Sequence, residues 1–409
     1  MQPMNRRDFL AVSAMLGLGV AAGCSDDGGE DETSPNTSAS TTTEPVPVDP
    51  DPEAERFPVL IVGAGAAGMA AAHLLGQRGI EYRILEAAPT YGGRVKRSLD
   101  FVDFPIPLGG EWLHAAESTL TDIVNDQDTE VDQPMQAYDP DDRAILVTAE
   151  GDVVEGALGD YTDLKFIGSS WLDFFDDYIV PGIANRMVFD TQIVDIDHSG
   201  GEVALTTPTG DVWTADQVIV SVPMKVLQDG DVSFTPPLPG DHQDALDSAN
   251  IWTGMKVFIE FEDAFYPTFL EVAADAGDDG QRAYYDAGYG QNGANVLGLF
   301  TVGELSKPYQ AVDPGDELRD LVLAELDEIF DGAASANYVQ HISQNWANEP
   351  FIKAAYLADT APSWISEALA ESIDDRVFFA GCSYTSFDDW SSVHTAVRSA
   401  RDAADAITG

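Results

Sequence analysis

The sequence predicts an α/β chain long enough for two domains, and three observations carry that expectation. A continuous apolar run, Val59-Leu60-Ile61-Val62, leads directly into Gly63, Gly65 and Gly68, as a strand buried on both faces of a parallel sheet leads into a nucleotide-binding turn. Short β runs at Met187 to Phe189, Ile193 to Ile196, Val203 to Thr207 and Val212 to Thr214 read as a meander, and Val218 to Pro223 as a return to a buried strand. Behind an N-terminal signal-like segment and an acidic stretch, roughly 350 residues remain, enough for two sizeable cores.

Residues 1–23 read as an export signal. Arg6-Arg7-Asp8-Phe9-Leu10 is a twin-arginine motif, and Phe9 to Ala22 is a short apolar region. Ala21-Ala22-Gly23-Cys24 resembles a lipobox, which would make Cys24 a lipid-bearing N-terminus. The apolar region is too short to span a bilayer, so the membrane is expected to be reached only through that lipid. The protein is then exported by the twin-arginine route and anchored at the outer face of the cell membrane or in the periplasm. Residues 24–55 are Asp, Glu, Ser, Thr, Pro and Gly with little to bury, and read as a disordered acidic tether.

Twenty Lys and Arg against 71 Asp and Glu give a formal charge of −51. Such a surface repels nucleic acid, so a nucleic-acid partner is not expected. It stays soluble in strong salt and points to a salt-loving source, an ordinary acidic protein being the alternative. With Cys24 lipidated, only Cys382 is left, so no internal disulfide is expected. The six histidines show no metal-ligand spacing, and no metal is expected.

In the glycine-rich stretch, Gly63 makes the tight turn, Gly65 admits a pyrophosphate, and Gly68 lets the helix pack on the strand. The helix continues through Ala66, Ala67 and further small residues to Gly79, its free N–H groups facing the phosphates. Glu81 to Leu85 reads as the second strand. Glu86 at its tip, 86 − 63 = 23 positions beyond the first glycine, is placed to accept hydrogen bonds from a ribose, with Ala87 beside it. Gly92-Gly93-Arg94 then suits either a loop folded back over the diphosphate, neutralised by Arg94, or an exposed turn with a surface arginine.

Joined in this order, the two glycine motifs resemble the FAD fingerprint of the flavin-containing amine oxidase family, which includes monoamine, polyamine and L-amino-acid oxidases. The resemblance implies FAD bound by Gly63, Gly65, Ala66, Ala67, Gly68, Glu86, Ala87, Gly93 and Arg94. It extends in blocks over most of the chain, least clearly over its middle third. Leu108-Gly109-Gly110-Glu111-Trp112-Leu113-His114 is similar to the family segment beside the flavin, which implies contacts from Gly110, Glu111 and Trp112. His114 becomes a candidate active-site residue, although a histidine satisfied within the core reads equally well from the residue alone. Ala115 to Pro181 is mixed polar and aromatic, with a helix expected around Trp171-Leu172-Asp173-Phe174-Phe175.

From Asp190 to Pro237 the meander resembles the family's crossover, and Ile193 is implied to meet the adenine through its backbone. Met255 to Phe261 alternates like a strand of a half-buried sheet. Taken alone, Lys256 reads as a solvated strand lysine; the resemblance instead implies that it serves the flavin N5 through a water. Trp346 and Tyr356 read as core aromatics by type, and as a substrate cage by resemblance. Ala355 stands where monoamine oxidases place the cysteine bonded to FAD, which implies a non-covalent flavin. Arg376 to Gly381 reads as a final buried strand and Ser392 to Ile407 as a final helix, implying flavin contacts from Gly381, Cys382 and Val393. Here the chain departs from the family: Cys382 or Ser383 replaces an acid, Ser399-Ala400 replaces Ser-Gly, and Trp390 or Val393 lies near the usual second cage tyrosine.

The resemblance therefore implies a two-domain FAD-linked fold. A Rossmann-like FAD-binding domain with a β-meander crossover is assembled from 56–115, 184–235 and 372–409. A smaller α+β substrate domain with a mixed sheet comes from 116–183 and 236–371. The expected activity is FAD-dependent oxidation of a small-molecule amine with O2 as acceptor, giving H2O2, with Lys256, Tyr356, Trp346 and His114 in the active site. The alternatives are a flavin desaturase or dehydrogenase passing electrons to a membrane acceptor, and a non-catalytic exported flavoprotein.

Overall fold

In the computed structural model, which describes residues 56–274, 279–385 and 391–409, the strand Arg56–Val62 lies at the centre of a parallel sheet. The expected signal, the lipidated Cys24, the tether and Trp390 lie outside the described residues. Tyr82–Leu85 pairs parallel on one side of Arg56–Val62, and Val212–Val220 parallel on the other. Met187–Val188 and Val377–Phe379 extend the parallel set. Alternation along the first strand explains its full burial. Val59 and Ile61 enter the core beneath the helices Ala66–Gln77 and Val393–Thr408, while Leu60 and Val62 enter a second core with Ile196, Leu205, Leu227 and Leu369.

The meander is built from Asp195–Asp197, Val203–Thr206 and the first half of Val212–Val220. Two expectations need correcting. Met187–Val188 pairs with Tyr82–Leu85 and is no part of the meander. The runs Val212 to Thr214 and Val218 onward are one nine-residue strand, because its early residues pair with the meander while its late ones take Val377–Phe379 on the same edge.

The second sheet has the order Tyr338–Asn345, Gly254–Phe261, Asn295–Gly303, Gly280–Asp286, Phe269–Val272, Arg143–Val147, Val153–Ala157. It is mixed: Phe269–Val272 and Arg143–Val147 run parallel, and the other neighbours antiparallel. The region from Ala115 to Pro181, where only a helix was expected, also carries the short strands Met135–Ala137, Arg143–Val147, Val153–Ala157 and Leu164–Phe166, and the middle two form one edge of this sheet. The expected helix is present as Trp171–Tyr178, capped by the Ser170 side chain on the Asp173 N–H. Trp171, Phe174, Phe175 and Ile183 join the core beneath the first sheet.

The strand Gly254–Phe261 is not half-buried, since only Glu260 is even partly exposed. Met255, Val257, Ile259 and Phe261 pack under the helix Asp316–Ile329, with Leu318, Val322 and Leu326 opposite. Lys256 and Phe258 therefore project to the other face, where Lys256 meets Pro107 and Glu111 and Phe258 meets Tyr285. Residues 55–409 form one compact unit, and Lys256 and Phe258 are both buried within it.

Candidate functional site

The carboxyl ends of the parallel strands define the site, as expected for an open α/β sheet. Val62 is followed by Gly63, Leu85 by Glu86, Val220 by Ser221, and Phe379 by Ala380-Gly381. The three glycines divide the labour as their spacing predicts. Gly63 has φ +104, and its N–H donates to Leu85 O at 2.8 Å. A Cβ built on Gly65 meets nothing within 4 Å, so the turn opens onto free space. A Cβ on Gly68 would stand 2.0 Å from Gly63 O, so the helix approaches the turn as closely as a backbone can.

Glu86 is held by the turn it faces. Its carboxylate accepts from Ala64 N–H at 2.6 Å and Ala88 N–H at 2.8 Å, with the Ala87 N–H nearby. Burial raises its pKa, and these backbone donors oppose the rise. Ile193 is buried, in a chain segment tied to the same place by Thr191 N–H to Glu86 O at 2.8 Å. Gly93 packs against Gly65: a Cβ there would stand 3.3 Å from Gly65 Cα, and Gly92 N–H donates to Ala64 O at 2.9 Å. The Gly92-Gly93-Arg94 loop thus folds back over the turn instead of standing exposed. Arg94 ties three remote segments together, donating to Ala355 O and, at 3.5 Å, to Cys382 Sγ.

The segment Leu108 to His114 runs between these parts. Gly110 N–H donates to Arg94 O at 2.9 Å, and a Cβ on Gly110 would meet Val393 Cγ2 at 2.8 Å. Trp346 Nε1 donates to Leu108 O at 3.1 Å, and a Cβ on Gly109 would stand 1.8 Å from Arg94 O and 2.9 Å from the Trp346 ring. Val393 opens the last helix, whose first turn is closed by a capping box of Ser392 and Thr395. Gly381 N–H donates to Ser399 Oγ at 3.2 Å, so the serine kept from the family's Ser-Gly pair fastens the last strand to that helix. Tyr356 packs edge-on against Trp252, with ring centroids 6.0 Å apart, one position after Ala355.

Lys256 is 4 % exposed and is not a solvated lysine. Its Nζ donates to Glu111 Oε2 at 2.8 Å and to Pro107 O at 3.4 Å. The other oxygen of Glu111 accepts from Lys165 Nζ at 2.6 Å, and Tyr285 Oη donates to Oε2 at 2.5 Å. Tyr285 fits because its strand partner is Gly298, where a Cβ would stand 2.6 Å from the phenol ring. Burial alone would raise the Glu111 pKa, yet Lys165 and Lys256 outweigh it and hold the carboxyl below its usual value. His114 Nδ1 lies 2.6 Å from Asp163 Oδ2, and its ring is 6.4 Å from Trp112 and 6.5 Å from His394.

Lys165, Tyr285 and Asp163 are absent from the expected site. Lys165 had one legible signal: it is one of only six lysines, and it sits between Leu164 and Phe166. Among the described residues, no group of three or more His, Cys, Asp or Glu could hold a metal ion.

A crossover α/β fold with a Gly63-Gly65-Gly68 turn, a carboxylate at the tip of the second strand and a second glycine loop over the turn defines a dinucleotide-binding fold. The open space at Gly65, the Glu86 carboxylate and the Arg94 loop fit FAD. The chain belongs to the family of flavin containing amine oxidoreductases, whose model matches residues 183–408, and an NAD(P)-binding Rossmann-like domain model matches residues 61–126.

Among curated relatives it is 25% identical over 411 residues to lysine-specific histone demethylase 2 of Homo sapiens, covering 79% of this chain but 50% of that protein. It is 23% identical over 410 residues to polyamine oxidase 2 of Arabidopsis thaliana, covering 79% and 82%. Its fold is shared with putrescine oxidase bound to putrescine (TM-score 0.70, 15% identity, 87% of this chain and 99% of the other). It is shared also with cyclohexylamine oxidase from Brevibacterium oxydans IH-35A (TM-score 0.68, 15% identity, 86% and 98%).

Proposed function

We propose that the protein oxidises small amines, with diamines and polyamines as its preferred substrate class. The chemistry supplied by non-covalent FAD when bound is acceptance of a hydride equivalent from the carbon beside a neutral amine and its delivery to O2 as H2O2, water then hydrolysing the imine. The observation that carries this reading is the convergence of Arg94, Gly110, Trp346, Val393 and buried Lys256 around one segment beside the nucleotide turn. Named relatives that act on polyamines and putrescine support the substrate class. So does a chain of net charge −51, which attracts polycations.

The residues' part is to bind, orient and exclude water. Arg94 and the amides of the Gly63 to Gly68 turn hold the diphosphate, and Glu86 holds the ribose. Trp346 and Tyr356 give the substrate a dry aromatic wall, and His114, oriented by Asp163, lines the entrance. Lys256, held by Glu111 and Pro107, would by the family resemblance serve the flavin through a water, and no side chain needs to act as general base. Anaerobic mixing of the purified yellow protein with monoamines, diamines, polyamines and amino acids tests the reading. Bleaching of the flavin by diamines or polyamines, with peroxide released on readmitting air, is expected. A flavin that stays oxidised with every amine would refute it, and electron delivery to quinone without peroxide would favour the dehydrogenase alternative.

The Arg6-Arg7 motif and Cys24 support a further part of the proposal, that the enzyme is exported folded and held at the membrane by lipid. Cys24→Ser is expected to release it into the soluble extracellular fraction.

A further inference from the structure

Tyr356 belongs to a ribbon of two short strands, Ile251–Trp252 paired antiparallel with Tyr356–Leu357, which joins neither large sheet. A ribbon this short has little rigidity of its own, so its anchors decide where the Tyr356 ring points. Ala355 N–H donates to Trp252 O at 2.8 Å and Ala358 N–H to Asn250 O at 2.9 Å, which holds the two strands together. Arg94 donates to Ala355 O and so fastens the ribbon to the loop over the nucleotide turn. A further anchor is Asp279, whose Oδ2 accepts from Trp252 Nε1 at 2.8 Å and from Asn250 Nδ2 at 2.5 Å.

Trp252 is 4 % exposed and packs with Val302, Ala355 and Ala358, with Phe300 and Tyr356 against them. A buried indole N–H needs an acceptor, and the bond to Asp279 selects the one ring orientation that provides it. Tyr356 meets that indole edge-on, with ring centroids 6.0 Å apart and planes at 61°. Asp279 is itself held from behind. Its carbonyl accepts from Glu304 N–H at 2.6 Å, and a Cβ on Gly303 would stand 2.4 Å from the same oxygen. We propose that Asp279 is a positioning residue for the substrate wall: it fixes the Trp252 indole and, through the indole, the Tyr356 ring. The inference rests on the reading of Tyr356 as part of that wall. Misplacing a wall that orients the amine slows the chemical step more than it weakens the cofactor site.

The test is anaerobic bleaching of full-length holoenzyme by putrescine, together with the near-ultraviolet circular dichroism of Trp252, taken as the difference between wild type and Trp252→Phe. Asp279→Ala is expected to lower the limiting bleaching rate about tenfold, to leave FAD affinity unchanged, and to abolish most of the Trp252 signal. Asp279→Asn keeps an acceptor for the indole and is expected to recover most of the rate. Trp252→Phe removes the N–H but keeps a ring; it is expected to bleach as slowly as Asp279→Ala, and it gives the same answer should Asp279→Ala fail to fold. In a Tyr356→Leu background, Asp279→Ala is expected to change the rate no further, because it acts through that ring. An Asp279→Ala rate equal to wild type, an Asp279→Asn variant as slow as Asp279→Ala, or effects of Asp279→Ala and Tyr356→Leu that multiply would each overturn the proposal. A Tyr356→Leu variant that bleaches like wild type would instead overturn the wall and the inference with it. Wild-type flavin left oxidised by putrescine would refute the substrate class, with the Trp252 signal still deciding whether Asp279 fixes the indole.

Discussion

A Cβ on Gly68 would stand 2.0 Å from the carbonyl oxygen of Gly63, whereas a Cβ on Gly65 would meet nothing within 4 Å. The two glycines of one motif are therefore required for different reasons, and alanine separates them. Gly68→Ala forces the helix off the turn and is expected to destabilise the protein by about 1–3 kcal/mol, as a fall of several degrees in Tm without added FAD. Gly65→Ala is expected to leave the Tm of cofactor-free protein unchanged and to weaken FAD binding at least tenfold, since the methyl group occupies the pyrophosphate space. Equal losses of apoprotein stability would contradict this division.

Glu271, in the strand Phe269–Val272, has its carboxyl pushed up to about 7 by burial. Its folded value lies above the ordinary one, so its contribution to stability is complete below about pH 4.5 and is lost as pH rises through 7. The displacement corresponds to about 3 kcal/mol. Glu271→Gln is therefore expected to be near neutral at low pH and to stabilise by about 2–3 kcal/mol at pH 8, by denaturant unfolding at both pH values. A gain independent of pH would rule out burial of the charge as the cause.

His114 is oriented by a carboxylate 2.6 Å from Nδ1, and a hydrogen bond to a charged partner contributes about 1.5–3 kcal/mol. Asp163→Asn is expected to lower kcat/KM for diamines about tenfold, mostly through KM, while monoamine turnover changes little. An effect of the same size on both substrates would remove His114 from the entrance.

A net charge of −51 destabilises the compact state by self-repulsion. Raising the salt from about 0.1 M to about 1 M shortens the screening length from about 10 Å to about 3 Å. Thermal unfolding is expected to shift upward over that range, by more than in a variant with about ten surface carboxylates amidated. A Tm that falls with salt would show that the exposed ion pairs, such as Arg143 with Glu155, outweigh the repulsion.

What the sequence determined was local. The strand Arg56–Val62, its turn, the helix Ala66–Gln77 and Glu86 follow from periodicity and glycine spacing, because each is built from neighbours in the chain. The final strand and helix were legible for the same reason. Tertiary structure decided what depends on partners far along the chain. The Val212–Val220 strand reads as two runs because its halves serve different neighbours. Lys256 reads as a surface lysine because its strand gives no sign that a second sheet face is covered. Glu111 and Lys256 are 145 positions apart, and Lys165 and Glu111 are 54 apart. No spacing rule joins such residues; the pairing of Leu164–Phe166 with Trp112–Leu113 and the approach of the strand Gly254–Phe261 to the same segment bring the three together, because charges removed from water persist only where opposite charge meets them.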